Sequence, residues 1–222
     1  MQKNLVIIPV RGGSKRLPKK NSKLLGGIPL FVHSINYAKK NSNICHKIVV
    51  STDCLELKKI ALEEGVTVMD RPSSLSGDLT PTKAVLQHVL ENEIENFDNV
   101  ILLQATNPFR GKDLLINAFY KFTNGAYESL MTVSENRQKF GKIEKDKFIP
   151  YNYSFGQRSQ DLDPLYFENG LLYITKASLI KEGKIIGDNN YPYIENSPLA
   201  KIDIDDEEDF ELASFYYNKQ LK

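Results

Sequence analysis

Short, almost wholly apolar runs alternate along this chain with longer stretches in which apolar residues recur every three or four positions. Leu5–Val10 is a near-continuous apolar run, the pattern of a strand buried on both faces of a sheet. Pro29–Lys40 follows as a helix with Leu30, Ile35 and Ala38 on its inward side. Lys47–Ser51 predicts a second strand, Cys54–Glu64 a helix closed by Gly65, and Val66–Met69 a short third strand. Pro81–Glu95 reads as a helix with proline at its first position, followed by a strand at Val100–Gln104 and a helix at Gly111–Phe122. Two further strands are expected at Ser129–Val133 and Leu171–Ile174, a late one at Ala200–Ile204, and a closing helix at Glu207–Leu221. Such alternation implies an α/β fold: a mostly parallel sheet with helices on both faces. A length of 222 residues suits one domain, residues 1–222, with a small insertion.

The rhythm breaks between about Glu135 and Asn169. Gly141, Pro150, Gly156 and Pro164 punctuate the stretch, and Phe148, Tyr151, Tyr153, Phe155 and Tyr166 stand among charges with little aliphatic company. Aromatics and arginine without aliphatics are the composition of an interface. Residues 135–169 therefore read as an insertion that pairs with a second subunit, or as an irregular surface loop, although a structureless loop of that length would be unusual.

Directly after the first strand, residues 11–23 hold six cations and no acid in thirteen positions. Gly12, Gly13 and Pro18 make this a loop rather than a helix face. A basic, glycine-bearing loop at the carboxyl end of a buried first strand is where α/β proteins hold phosphates. Glycine lets backbone N–H groups approach an oxyanion, and Arg and Lys add charge-assisted bonds to the same oxygens. Neither the Walker A spacing nor G-x-G-x-x-G is present, so the expectation rests on position and charge. Whole-chain charge adds a constraint: 29 basic against 28 acidic residues leave a net +1, which excludes a nucleic-acid footprint and favours a small anion. No apolar run has the length of a membrane span, and the six apolar residues before Arg11 are too few for a signal-peptide core. Cys45 and Cys54 have no metal-ligand spacing and fit reduced thiols in a cytoplasmic protein.

The opposite charge collects near the other end, where seven of the nine residues 203–211 are acidic. If Ala200–Asp205 is a strand, Asp203 and Asp205 share one face and Ile202 and Ile204 the other. Two carboxylates so placed suit a hard cation such as Mg²⁺. Helix capping competes, with Asp205 as N-cap and Glu208 completing a capping box. That account serves Asp206–Asp209 well and Asp203, set between two isoleucines, poorly. A basic phosphate loop with paired carboxylates is what a magnesium-bound nucleotide requires.

Polar residues also follow other strands. Gln104, in Gln104-Ala105-Thr106-Asn107-Pro108-Phe109-Arg110, could bond a polyhydroxylated substrate and Arg110 a carboxylate, although Thr106-Asn107-Pro108 is equally good turn chemistry. Asp53, in Ser51-Thr52-Asp53, fits a helix N-cap, and Thr80 or Thr82 could cap the helix that follows them or contact a nucleoside. His88, flanked by Val89 and Leu90, fits packing better than proton transfer.

The run Ile8-Pro9-Val10-Arg11-Gly12-Gly13-Ser14-Lys15-Arg16-Leu17-Pro18-Lys19-Lys20-Asn21 resembles the signature of the CMP-sialic acid synthetases, the acylneuraminate cytidylyltransferases. The resemblance continues in order through Ser51-Thr52-Asp53, Arg71-Pro72, Leu103–Arg110, Gln157-Arg158, Asn169-Gly170 and Ile202-Asp203-Ile204-Asp205. It implies a GT-A-like nucleotidyltransferase in which the anomeric hydroxyl of a nine-carbon 2-keto sugar acid attacks the α-phosphorus of CTP. By that resemblance Arg11, Gly12, Lys15 and Lys20 hold the triphosphate, with Arg11 and Lys20 also serving catalysis. Asn21, Arg71, Thr80 and Thr82 would meet the cytidine, and Gln104, Thr106 and Asn169 the sugar. Asp203 and Asp205 would bind Mg²⁺, with Asp205 or a metal-bound hydroxyl as base. The insertion would form a homodimer and send Arg158 to the neighbour's sugar carboxylate. A KDO-type cytidylyltransferase is the nearest alternative; a GT-A glycosyltransferase, with Asp203-Ile204-Asp205 as its D-x-D motif, is more remote because that motif sits so late. Ala105 and Asn107 depart from the usual Pro and Ser beside Thr106. Glu168 puts a carboxylate near a carboxylate-bearing sugar: either it points away, or the sugar carries a compensating group.

Overall fold

The predicted alternation becomes a seven-stranded sheet in the structure, a computed structural model that describes residues 2–220. β1 (Asn4–Pro9) leads through the basic loop, a 3-10 turn at Lys20–Ser22 and a two-stranded ribbon, β2 (Leu24–Leu25) and β3 (Ile28–Pro29), into α1 (Leu30–Lys40). β4 (Lys47–Thr52), α2 (Leu55–Glu63), β5 (Thr67–Asp70), α3 (Thr82–Glu91), β6 (Asn99–Leu102) and α4 (Leu114–Asn124) continue the winding. Then come β7 (Ser129–Asn136), the hairpin β8 (Gly141–Glu144) and β9 (Lys147–Pro150), β10 (Leu165–Lys176), α5 (Ala177–Lys181), β11 (Asn190–Ile194) and α6 (Glu207–Gln220). The sheet order is β11-β7-β10-β6-β1-β4-β5, and β10 alone runs against its neighbours.

Side-chain alternation along β1 builds a core on each face. Val6, Ile8 and Val10 enter the cluster under α1, α2 and α4, whereas Leu5 and Ile7 enter the one under α3 and α5. Leu30, Ile35 and Ala38 of α1 are wholly buried, as their spacing predicts. A third, smaller cluster joins Leu17 of the basic loop, Leu25 and Leu30 to Ile202, Ile204, Phe210 and Ala213. This cluster matters most for function. Its apolar members are interleaved with the charged residues of two segments almost 190 positions apart, and burying the former brings the latter together.

The structure corrects several expectations. Ala200–Ile204 is not a strand: Pro198–Lys201 is a 3-10 turn, and Ile202–Asp205 is an extended tail tied to the turn after β6 by Ile204 N–H donating to Thr106 O at 2.9 Å. Extended backbone still alternates its side chains, so both isoleucines are buried although no ladder forms. The capping box is not Asp205 with Glu208. Asp209 N–H donates to Asp206 Oδ1, and Asp209 Oδ2 accepts from the N–H groups of Asp205 and Asp206. The helix expected over Pro81–Glu95 stops at Glu91, because the Asn92 amide takes the His88 carbonyl at 2.8 Å. β11 went unpredicted since Pro192 interrupts its run, and it is an edge strand, where proline is tolerated. The expected end of the last helix at Leu221 lies outside the described residues. Within 135–169, β7 and β10 run further than their apolar cores, so the irregular part contracts to residues 137–164 around the β8–β9 hairpin.

Candidate active site

The parallel strands end at one edge of the sheet, where their connecting loops surround a cleft of about 270 Å³. Arg11, Lys20, Asn21, Arg71, Thr80, Thr82, Gln104 and Thr106 all line it, although they come from three different connections, those after β1, β5 and β6. The position follows from topology: strand order reverses between β1 and β6, and a crevice must open there.

The basic loop is fixed by polar bonds. Gly12 N–H donates to Asp53 Oδ1 at 2.9 Å, and the Asn21 amide donates to the Arg11 carbonyl at 2.9 Å. Asp53 therefore anchors the loop rather than capping α2, whose start has no side-chain cap. A Cβ on Gly12 would lie 2.9 Å from Cys54 Cβ, so glycine is needed there for close approach. Arg71 is buried and donates to the Ser51 carbonyl at 2.6 Å; burial lowers its pKa to about 10, with Asp53 opposing. Thr80 and Thr82 cap nothing: Pro81 is the N-cap residue of α3, and no side chain bonds that helix start. Their placement in the cleft lining favours the nucleoside reading.

Carboxylates answer the loop's cations from two directions. Asp78, which sequence reasoning passed over, pairs with Arg11 at 2.8 Å and Lys15 at 2.5 Å. Asp205 pairs with Lys20 at 2.9 Å and Arg16 at 2.5 Å, and Lys20 also donates to the Ile204 carbonyl. Arg16 was equally unforeseen. Partial burial would raise the Asp205 carboxyl, but Lys20 and Arg16 outweigh it and hold it below the usual carboxylate range. Asp203 goes the other way. Burial raises it and Asp205 adds repulsion, against the Thr106 hydroxyl and Lys20, which lower it. Among the described residues no group of three or more His, Cys, Asp or Glu side chains gathers as a metal cage. What exists is a couple, one member satisfied by cations and the other short of positive charge. That donor set suits Mg²⁺, which takes one or two carboxylates and completes its shell with phosphate oxygens and water.

Behind Gln104, Asn107 is fully buried and donates to the carbonyls of Asn169 at 2.9 Å and Ile202 at 3.4 Å. It is a bracket between β6, β10 and the aspartate tail, not turn chemistry. Gly170 has φ +74°, and its missing Cβ leaves room for Gln104 Oε1 and Asn107 Oδ1. The Asn169 side chain is buried, donating to Ser134 Oγ and accepting from Leu171 N–H, so its amide is already engaged. Arg110 does not await a carboxylate. Its guanidinium donates to the carbonyls of Leu171 and Gln104, both at 2.6 Å, and to Ser34 Oγ. Arg158 stays out of this cleft; it is exposed and paired with Asp161 at 2.7 Å. His88 packs within α3, with an unpartnered buried Nδ1.

Residues 5–221 match the cytidylyltransferase family. The chain is 33% identical to the pseudaminic acid cytidylyltransferase of Campylobacter jejuni, covering 97% of this chain and 96% of that protein. It is 35% identical to the CMP-N,N'-diacetyllegionaminic acid synthase of Legionella pneumophila, over 94% of each. It is 31% identical to an N-acylneuraminate cytidylyltransferase of Streptococcus agalactiae, covering 94% of this chain and 52% of that one. Among solved structures, CMP:2-keto-3-deoxy-manno-octonic acid synthetase complexed with CTP superposes with a TM-score of 0.72 at 13% identity, covering 98% of this chain and 99% of that one. At that identity the likeness is one of fold.

Proposed function

Since the chain belongs to the cytidylyltransferase family, we propose that it joins CTP to a nonulosonic acid, a nine-carbon 2-keto sugar acid, giving a CMP-sugar and pyrophosphate. The anomeric hydroxyl of the sugar forms a bond to the α-phosphorus, the bond from that phosphorus to the bridging oxygen breaks, and pyrophosphate leaves. The observation that carries the reading is Lys20, which reaches from the phosphate loop to Asp205 and makes one site of the two charged segments. The named substrates of three relatives, pseudaminic, diacetyllegionaminic and N-acylneuraminic acids, support the sugar class.

Charge opposes attack on a polyphosphate, so the chain's main contribution is electrostatic. Arg11, Lys15 and Lys20 take the phosphate oxygens, exchanging Asp78 and Asp205 for the triphosphate, and Lys20 lies where leaving pyrophosphate gathers charge. The N–H of Gly12 faces Asp53 and serves to fix the loop. Asn21, Arg71, Thr80 and Thr82 contact the nucleoside end, while Gln104 and Thr106 hold the sugar and Asn169 shapes its pocket. Asp203 and Asp205 would hold Mg²⁺, which would supply neutralisation of phosphate charge and polarisation of the reacting phosphorus. Asp205, held ionised by two cations, is better suited to keeping charge in place than to accepting a proton.

The β8–β9 hairpin supports a homodimer. Ile143, Phe148 and Ile149 are exposed on it, with Tyr151 and Phe155 exposed beyond. Arg158, free of its own cleft, would serve the site of the second subunit and pair the sugar carboxylate. Among the described residues no helix is long and apolar enough to cross a membrane, and the two free cysteines suit the cytoplasm. The test is pyrophosphate release from CTP and Mg²⁺ with a panel of sugar acids. Release with at least one nonulosonic acid and none without sugar is expected; release with the eight-carbon acid alone would overturn the sugar assignment.

A further inference from the structure

Between Glu168 and Tyr173 the pairing of β10 with β7 slips, so that four residues bulge opposite the single residue Thr132. Glu168 pairs opposite Val133 before the slip, and Tyr173 opposite Met131 and Leu102 after it. The bulge closes the distance between the two side chains: the Tyr173 hydroxyl donates to Glu168 Oε2 at 2.9 Å. The ring below that hydroxyl is buried with Leu102 and Leu86, which fixes the donor. Burial first, then Glu168 and Asp203, push the phenol well above its ordinary range, so it remains a donor at any working pH. Asn169-Gly170, next in the chain, packs against Asn107 and Gln104, and the Asn107 amide joins the Asn169 carbonyl to that of Ile202, which precedes the aspartate couple. Glu168 is exposed, and among the described residues Tyr173 is its one polar partner.

We infer that Glu168, aimed by Tyr173, is a specificity-determining residue that accepts a hydrogen bond from an amide N–H or hydroxyl of the sugar, on the side of the sugar away from its carboxylate. The inference rests on the proposed nonulosonate reading. One Glu168 oxygen is engaged by the phenol, and the other is free to accept. A sugar carboxylate brought next to Glu168 would meet a like charge with no intervening cation, so the sugar is turned to present a donor instead. A site built to bond a donor discriminates sharply against an analogue without it, because its acceptor is left unpaired.

The experiment uses the full chain with CTP, Mg²⁺ and a nonulosonic acid that it turns over, plus analogues in which one N–H or O–H at a time is replaced by hydrogen or O-methyl. With the wild type, one analogue should lose about 10- to 100-fold in kcat/KM, the range for a lost hydrogen bond to a charged group. Glu168→Ala should lose a similar factor on the parent sugar, mostly in KM, and nothing more on that one analogue. Tyr173→Phe should lose less, on the same analogue. The KM for CTP and the melting temperature of Glu168→Ala should stay at wild-type values, since the side chain is exposed. Equal losses across all analogues in wild type and Glu168→Ala, or an unchanged sugar KM in Glu168→Ala, would overturn the inference while leaving the reaction intact. A wild type inactive on every nonulosonic acid would instead overturn the proposed function, and the inference with it.

Discussion

Gly170→Ala tests how the sugar pocket is held. The residue sits at φ +74°, where an L side chain costs about 1–2 kcal/mol. Its new Cβ would lie 2.5 Å from Gln104 Oε1, 2.6 Å from Asn107 Oδ1 and 3.1 Å from Asn107 Cγ. Gln104 can swing away, but Asn107 is fully buried and bonded to Asn169 and Ile202, so it moves only with the backbone of both. Backbone strain alone should lower the melting temperature by roughly 2–8 °C for a domain of this size. Displacing Gln104 and the aspartate tail by about 1 Å should reduce kcat/KM for the sugar on the order of 10²-fold. CTP affinity should change little, because Arg11 and Arg71 are held from other loops. The assay pairs thermal unfolding with steady-state pyrophosphate release, sugar and CTP varied separately. Gly183→Ala is the control: φ is +77°, but the residue follows α5 at the far edge of the sheet, so it should cost stability and spare kinetics. Gly170→Ala with wild-type sugar kinetics, or one that loses CTP affinity instead, would refute the reasoning.

Three further outcomes follow from the charges. Asp203→Asn should raise the melting temperature at neutral pH: the folded carboxyl titrates above its unfolded value, so its ionisation costs stability that is recovered as pH falls through that range, and the gap between variant and wild type should close on acidification. A gap that widens at low pH would contradict this. Asp78→Asn frees Arg11 and Lys15 from a carboxylate that CTP must displace, so calorimetry should find CTP binding several-fold tighter and more dependent on salt; weaker binding would make Asp78 part of the nucleotide site. Mixing inactive Arg158→Ala with inactive Asp205→Asn should restore turnover if Arg158 acts in the partner's site, whereas a mixture as inactive as its parts would place Arg158 elsewhere.

The parts of the fold legible in sequence were those where burial alone dictates the pattern. Leu5–Val10 and the Leu30, Ile35, Ala38 stripe were read correctly because both environments are uniformly apolar. Edges were harder: Pro192 lies in a strand that has a neighbour on one side only, and the β8–β9 hairpin pairs outside the main sheet. At the site, charge and position marked Arg11, Lys20 and Asp205, but not what each touches. Asp78 looked like loop polarity, since its partners are remote in sequence until the loop folds back. Asn107 and Arg110 have the chemistry of ligand contacts and spend it on buried carbonyls, a choice that only packing reveals. In the aspartate tail, alternation placed the isoleucines inward as the pattern predicted, although no strand forms.

The central claim is that the early cationic loop and the late aspartate couple act on one metal-bound CTP, and a Mg²⁺ titration of pyrophosphate release addresses it most directly, run with saturating CTP and sugar acid on wild type, Asp203→Asn and Asp205→Asn. Wild-type release should rise with Mg²⁺ and vanish with chelator, while both variants fall on the order of 10²-fold or more and still bind CTP. Variants that match the wild-type rate at every Mg²⁺ concentration would contradict the account.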